Sequence, residues 1–266
     1  MTYDEPAVSG TVAELLRDAT NLDPSADGAL DDLDQFHLGG AEAVDLLVAS
    51  LDLDAGALVL DVGSGFGGPA RQVARRTGAR VLGVDLAPAY VEAARDLTRR
   101  AGLEDLVEFR HVDIADLDHG APFDAAITMH VQMNVEDKTA WFRKIARRLA
   151  PGARLAVWEV CQQPGSELTW PMPWSLDGSD SFVVPQEELR RAVEDAGFVV
   201  ESWTDRSGWA RDWFERTYAA GGPGGPALPM LLDEGYTRVL NYAAAVADGS
   251  VQVWQGCFTT SLQSRS

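Results

Sequence analysis

The chain has 266 residues, 46% of them hydrophobic, enough for one sizeable α/β core with an elaboration. Its 41 acidic residues against 22 basic ones give a net charge of −19, and only Lys138 and Lys144 among those cations are lysines. Such a surface repels nucleic-acid backbones and anionic lipid headgroups, so neither nucleic acid nor membrane is expected as a partner.

Cys161 and Cys257 lie far apart and outside any Cys/His ligand spacing, so no metal and no disulfide are expected. The opening MTYDEPAVSG has no basic segment followed by an apolar one, and no run reaches the length of a membrane span. A soluble, cytoplasmic protein is expected, with association as a homodimer left open.

In chain order, residues 1–56 read as an N-terminal helical flap, with AEAVDLLVASL at 41–51 spaced as an amphipathic helix. Short apolar runs then alternate with helical patterns. Strands are predicted at 57–62, 80–85, 107–111, 123–129 and 154–160, with helices at 69–76, 88–101 and 138–149. This alternation implies βαβ units around a mainly parallel sheet.

Past residue 160 the texture becomes rich in proline and tryptophan, and 161–184 reads as a loop over the site. A helix follows from Pro185 to a glycine stop at Gly197, then a strand near 199–204. Residues 205–249 form a second, partly helical insertion broken by GGPGGP, and 250–266 ends as an alternating strand. The expected organisation is a cofactor domain of 57–204 and 250–266 beneath cap insertions at 161–184 and 205–249.

LVLDVGSGFGGPARQVARR at 58–76 places a glycine-rich turn between strand and helix. Gly63, Gly65 and Gly68 satisfy G-x-G-x-x-G, and Asp85 follows at the distance that suits a ribose diol. That much fits NAD as well as S-adenosylmethionine. Asp61 separates them, because a carboxylate in front of the glycines repels a pyrophosphate and attracts the ammonium and sulfonium of S-adenosylmethionine. Asp113, after the third strand, can accept from an adenine amine.

LDVGSGFGGPAR, VLGVDLAP, HVDIADL and VQMNVEDKTAWFRKIARRLAPGARLAVWEV resemble the successive motifs of class I S-adenosylmethionine-dependent methyltransferases. The GGPAR ending is similar to the small-molecule branch that includes sterol, tocopherol and glycine/sarcosine enzymes. The resemblance implies a Rossmann-like doubly wound fold, with a mainly parallel seven-stranded sheet and an antiparallel final strand. It implies that Asp61, Gly63, Ser64 and Gly65 line the methionine part, Asp85 and Leu86 the ribose, and Asp113 and Ile114 the adenine. DQFHLGG at 34–40 also looks like an element of bacterial members that modify small metabolites, and it brings Gln35 in as a cofactor contact. His130 is expected near the sulfonium and the acceptor.

Methyl transfer needs a base only where the acceptor holds a proton. Candidates for the catalytic residues are His130, just past the fourth strand, His37 in the flap, and Glu159 at the end of the fifth strand. Trp170, Trp174, Trp203, Trp209 and Trp213 either build an aromatic lid or attach the cap to the domain. The expected reaction is methyl transfer to oxygen, nitrogen or carbon of a small-molecule acceptor. The alternative is a protein of this fold that keeps the cofactor but catalyses another reaction, such as a cyclisation, or only binds.

Overall fold

The computed structural model describes residues 34–219 and 232–261. Expectations for 1–33, 220–231 and 262–266, which include most of the flap and the GGPGGP break, lie outside these residues.

Segment 34–56 holds α1 (Gly40–Val48), which buries Ala43, Val44 and Leu47 on one face as its spacing predicts. The apolar run before the glycines is β1 (Leu58–Val62), buried from Val59 onward. Next come α2 (Gly68–Thr77), β2 (Arg80–Asp85), α3 (Pro88–Arg100), β3 (Val107–His111) and β4 (Phe123–Met129). A 3₁₀ turn at Gln132–Asn134 leads to α4 (Lys138–Ala146), which the Asp137 side chain caps by accepting from the Ala140 N–H. After β5 (Leu149–Gln162) come α5 (Gln186–Asp195), β6 (Phe198–Asp205), α6 (Ser207–Ala219), α7 (Gly235–Asp248) and β7 (Val251–Thr260).

The seven strands lie in the order β3-β2-β1-β4-β5-β7-β6. β3, β2, β1, β4 and β5 run parallel, and β7 is antiparallel to both β5 and β6. Inner strands covered on both faces read as continuous apolar runs, which is why β1 and β4 were legible. Successive residues of β1 feed two cores. Val59 packs with α1 and α2 residues such as Val44 and Val73, while Leu60 packs with Phe142 of α4 and Val193 of α5. Helices on both faces make the fold doubly wound and Rossmann-like.

Two boundaries differ from expectation. The helix predicted to run to Leu149 stops at Ala146, because Leu149 already pairs with Phe123 at the start of β5. β5 itself runs from Leu149 to Gln162 and not only over 154–160, since β7 pairs with it as far as Gln162. Beyond it, 163–185 carries no helix and one isolated bridge, Met172–Ser175. No helix among the described residues is long and apolar enough to cross a membrane.

Candidate active site

In an open parallel sheet, ligands collect beyond the carboxyl ends of the strands, where the order reverses. Here that point lies between β1 and β4, and a cavity of about 520 Å³ opens there. Its wall includes Asp61, Gly63, Ser64, Gly65, Asp85, Leu86, Asp113, Ile114, His37 and His130. Sequence positions up to 93 residues apart are thus brought to one hollow by the ends of β1, β2, β3 and β4 and the segment before α1.

Gly63 is there for space and Gly65 for its left-handed backbone. Gly63 has φ +79°, and a Cβ on it would stand 2.4 Å from Val131 Cγ2. Gly65 has φ +52°, and its N–H donates to Asp85 Oδ2 at 2.8 Å. Asp85 Oδ1 takes the Ala87 N–H at 2.9 Å, so the carboxylate that closes β2 holds the glycine turn and the start of α3 together. Burial raises the Asp85 pKa, and those N–H donors oppose the rise.

Asp61 is 2% exposed, and its Oδ2 has no hydrogen-bond partner. Burial first, and the nearby Asp85 second, push its pKa up to about 8. A buried carboxylate with a free oxygen is costly unless a cation or donor arrives. Ser64 Oγ beside it is likewise unpartnered. Leu86 is 47% exposed on the wall and offers an apolar shelf. Asp113 accepts from the Ala115 N–H at 2.7 Å and pairs with Lys144 Nζ at 3.5 Å, while Ile114 is buried beside it.

Segment 34–38 is tied to this cradle through Asp34, which forms an ion pair with Arg71 of α2 at 1% and 3% side-chain exposure. Arg71 also donates to the Phe66 carbonyl inside the glycine turn and to Thr98 of α3. The Nη donors of this buried pair thus brace the turn and α3, while Arg71 Nε has no partner. The sequence carried Arg71 in the GGPAR run but no sign of its partner. Gln35 reaches away from the cavity. Its amide nitrogen donates to Gln72 Oε1 at 3.2 Å, its oxygen lies 2.8 Å from His37 Nε2, and it is not part of the wall.

His130 sits in the left-handed region, φ +53°, directly after β4. The Leu38 N–H approaches its Nδ1 at 3.4 Å, and its Nε2 is buried without a partner. Burial, with His37 second, holds its pKa well below 6.5. The two imidazoles are 6.2 Å apart edge-on, and burial lowers His37 to about 4, so both stay neutral near pH 7. Glu159 is fully buried beneath this segment and off the cavity wall. It accepts from the Val131 N–H at 3.2 and 3.1 Å and from the Gln132 N–H at 3.4 Å. Burial pushes its pKa up to about 8 against those donors.

Among the five tryptophans in or beside the proline-rich and second insertions, Trp174 lines the cavity. Trp209 packs edge-on against Trp158, and Trp203 stacks on Trp254 at 5.3 Å, so these two attach elements to one another. Tyr242 of α7 also faces the cavity, and nothing in its NYAAAV context announces it.

Residues 59–152 match a family model described as a methyltransferase domain. Over these residues the chain is similar to a class I S-adenosylmethionine-dependent methyltransferase domain. It is 36% identical over 147 residues to methyltransferase GfsG of Streptomyces halstedii, covering 54% of this chain and 48% of that one. It is 30% identical to 27-O-demethylrifamycin SV methyltransferase of Amycolatopsis mediterranei, covering 63% of each. The chain therefore spans about half the length of the first relative and less than two thirds of the second. The crystal structure of the [4+2]-cyclase SpnF superposes with a TM-score of 0.66 over 95% of this chain and 93% of that one, at 24% identity, a likeness of fold.

The cradle fits S-adenosylmethionine. The free oxygen of Asp61 suits an ammonium, Asp85 with Leu86 next to it a ribose diol, and Asp113 with Ile114 an adenine. A pyrophosphate in the same place would meet Asp61 and Asp85 with no arginine or lysine on that part of the wall.

Proposed function

We propose that this protein transfers the methyl group of S-adenosylmethionine to a small-molecule acceptor by in-line displacement. The observation that carries the reading is the buried Asp61 carboxylate, its Oδ2 without a partner, at the mouth of a turn whose Gly63 admits no Cβ. When bound, S-adenosylmethionine supplies a methyl on a positively charged sulfur, already activated toward a lone pair. The chain's task is then to align the acceptor, exclude water and receive a proton where one is released.

Asp61, Ser64 and the turn 63–65 hold the amino-acid part, Asp85 the ribose, and Asp113 with Ile114 the adenine. His130 faces the acceptor as a neutral imidazole and takes the proton of an attacking hydroxyl at Nε2. The Leu38 N–H donates to Nδ1 at 3.4 Å, which favours the Nε2–H tautomer, so Nε2 accepts a proton once the imidazole hydrogen has moved to Nδ1 and that long bond is given up. Glu159 is a positioning residue in this reading, because it holds the Val131 and Gln132 amides that fix the His130 turn. The insertions at 161–184 and 205–249 cap the acceptor, supported by Pro173, Trp174 and Tyr242 on the wall.

The test is incubation of the protein with methyl-labelled S-adenosylmethionine and a metabolite library, followed by mass spectrometry. One metabolite gaining the labelled methyl is the expected result. Conversion of a metabolite to an isomer with the label still on the cofactor assigns the site to a different reaction.

A further inference from the structure

Besides Asp61 Oδ2 and Ser64 Oγ, two buried polar atoms stand partnerless on the wall of the same cavity: Tyr242 Oη and His130 Nε2. Tyr242 is 6% exposed, and its ring lies 6.2 Å from that of His130, nearly perpendicular to it. Trp174 and Phe214 pack edge-on against Tyr242, each at 5.7 Å, so an apolar frame fixes the phenol. Burying a phenol hydroxyl and an imidazole nitrogen with nothing to bond is unfavourable unless a ligand completes them.

We infer that Tyr242 and His130 together grip the reacting hydroxyl of an uncharged acceptor, the Tyr242 O–H donating to its oxygen and His130 Nε2 accepting its proton. This inference rests on the methyl-transfer reading above and adds the acceptor's chemical class. A hydroxyl oxygen has one proton and two lone pairs. The proton points to Nε2, one lone pair receives the Tyr242 O–H, and the other attacks the methyl carbon. The O–CH3 bond forms and the S–CH3 bond breaks with its electron pair left on sulfur, while the O–H proton moves to Nε2. Positive charge passes from sulfonium to imidazolium, and the net charge of the site is unchanged.

Other acceptors satisfy the pair less well. A neutral amine has a single lone pair, which it must use for attack, so it cannot accept from the Tyr242 O–H and can only donate an N–H to the phenol oxygen. A carbon nucleophile offers neither partner. An anionic acceptor would enter a cavity whose described wall carries Asp61, Asp85, Asp113, Glu136 and Asp137 against one ammonium, Lys144, which is already paired with Asp113.

The experiment is isothermal titration of protein loaded with S-adenosylhomocysteine, using 2-naphthol, 2-naphthylamine and 2-naphthyl phosphate as probes. The expected order has 2-naphthol about tenfold tighter than either of the others, the size of one good hydrogen bond. Tyr242→Phe, which keeps the packed ring, is expected to bring 2-naphthol to within about threefold of 2-naphthylamine while S-adenosylhomocysteine affinity stays native. Retention of the preference in Tyr242→Phe, phosphate binding as tight as naphthol, or no naphthol binding at all overturns the inference. Failure of the native protein to bind S-adenosylhomocysteine would instead remove the methyl-transfer reading on which it rests.

Discussion

Asp61 and Asp85 close two adjacent parallel strands, and the second carboxylate makes the first harder to ionise. Asp61 has a folded pKa of about 8 against 3.8 when free. Below pH 3.8 it is protonated in both states. Between those values the unfolded chain ionises and the folded one does not, so stability is lost as pH rises toward 8. Asp61→Asn removes this loss. The cofactor-free variant is expected to match the native protein near pH 4 and to exceed it by up to a few kcal/mol above pH 8, in thermal melts across that range. The same variant should bind S-adenosylmethionine more weakly by at least tenfold in calorimetry, an ammonium having lost its carboxylate. A variant without a pH-dependent gain would show that Asp61 is not desolvated in the fold.

Gly63 tests the steric half of the cradle. Gly63→Ala puts a Cβ against Val131 and forces a left-handed backbone on alanine, a conformation costing roughly 1–2 kcal/mol. Cofactor affinity is expected to fall by at least tenfold. Adding Val131→Ala should restore part of it, because the clash is relieved and the backbone strain is not. Full affinity in the single variant would mean that the turn tolerates a side chain.

For His130 the relevant quantity is the shape of the pH–rate profile. Its pKa lies well below 6.5, so it remains unprotonated as pH falls through 6.5, and the native rate should stay level there, with the acid limb appearing only at lower pH. His130→Gln is expected to lower kcat by about 10²–10⁴-fold and keep cofactor affinity within a few-fold. A native limb centred at 6.5 that vanishes in the variant would place the ring in solvent and not in an apolar wall.

The tryptophans give a paired comparison. Trp203 stacks on Trp254 between β6 and β7 and donates to Gln186, so Trp203→Ala should cost roughly 1–3 kcal/mol in denaturant melts and leave the acceptor KM untouched. Trp174→Phe, at the cavity wall, should raise the acceptor KM with little loss of stability. A reversal of these two outcomes would move the acceptor to the other side of the sheet.

Legibility in the sequence followed the range of the interactions. Asp61 and Asp85 could be read because each stands at the end of a short apolar run and Asp113 because it follows the third strand, while the glycines after Asp61 mark a tight turn. His130 was found for the same reason, as the residue that leaves β4. The Asp34–Arg71 pair and the place of Tyr242 depend on burial between segments 37 and more residues apart, for which local pattern has no signal. Glu159 shows the limit from the other side. A carboxylate at a strand position pointed to proton transfer, yet its oxygens are turned toward the amides of the neighbouring turn.

Among the described residues, α7 contributes to the cavity through Tyr242, while the helix rests on β7 and α6, outside the region matched to the methyltransferase family. The residues proposed to hold the nucleoside all lie upstream, from 61 to 114. On the methyl-transfer reading, substitutions on this one helical face would change which acceptor is admitted without touching the proposed donor seat. A chimera carrying a foreign α7 would keep the donor and change the recipient, which makes this helix the natural unit of exchange for redirecting the enzyme.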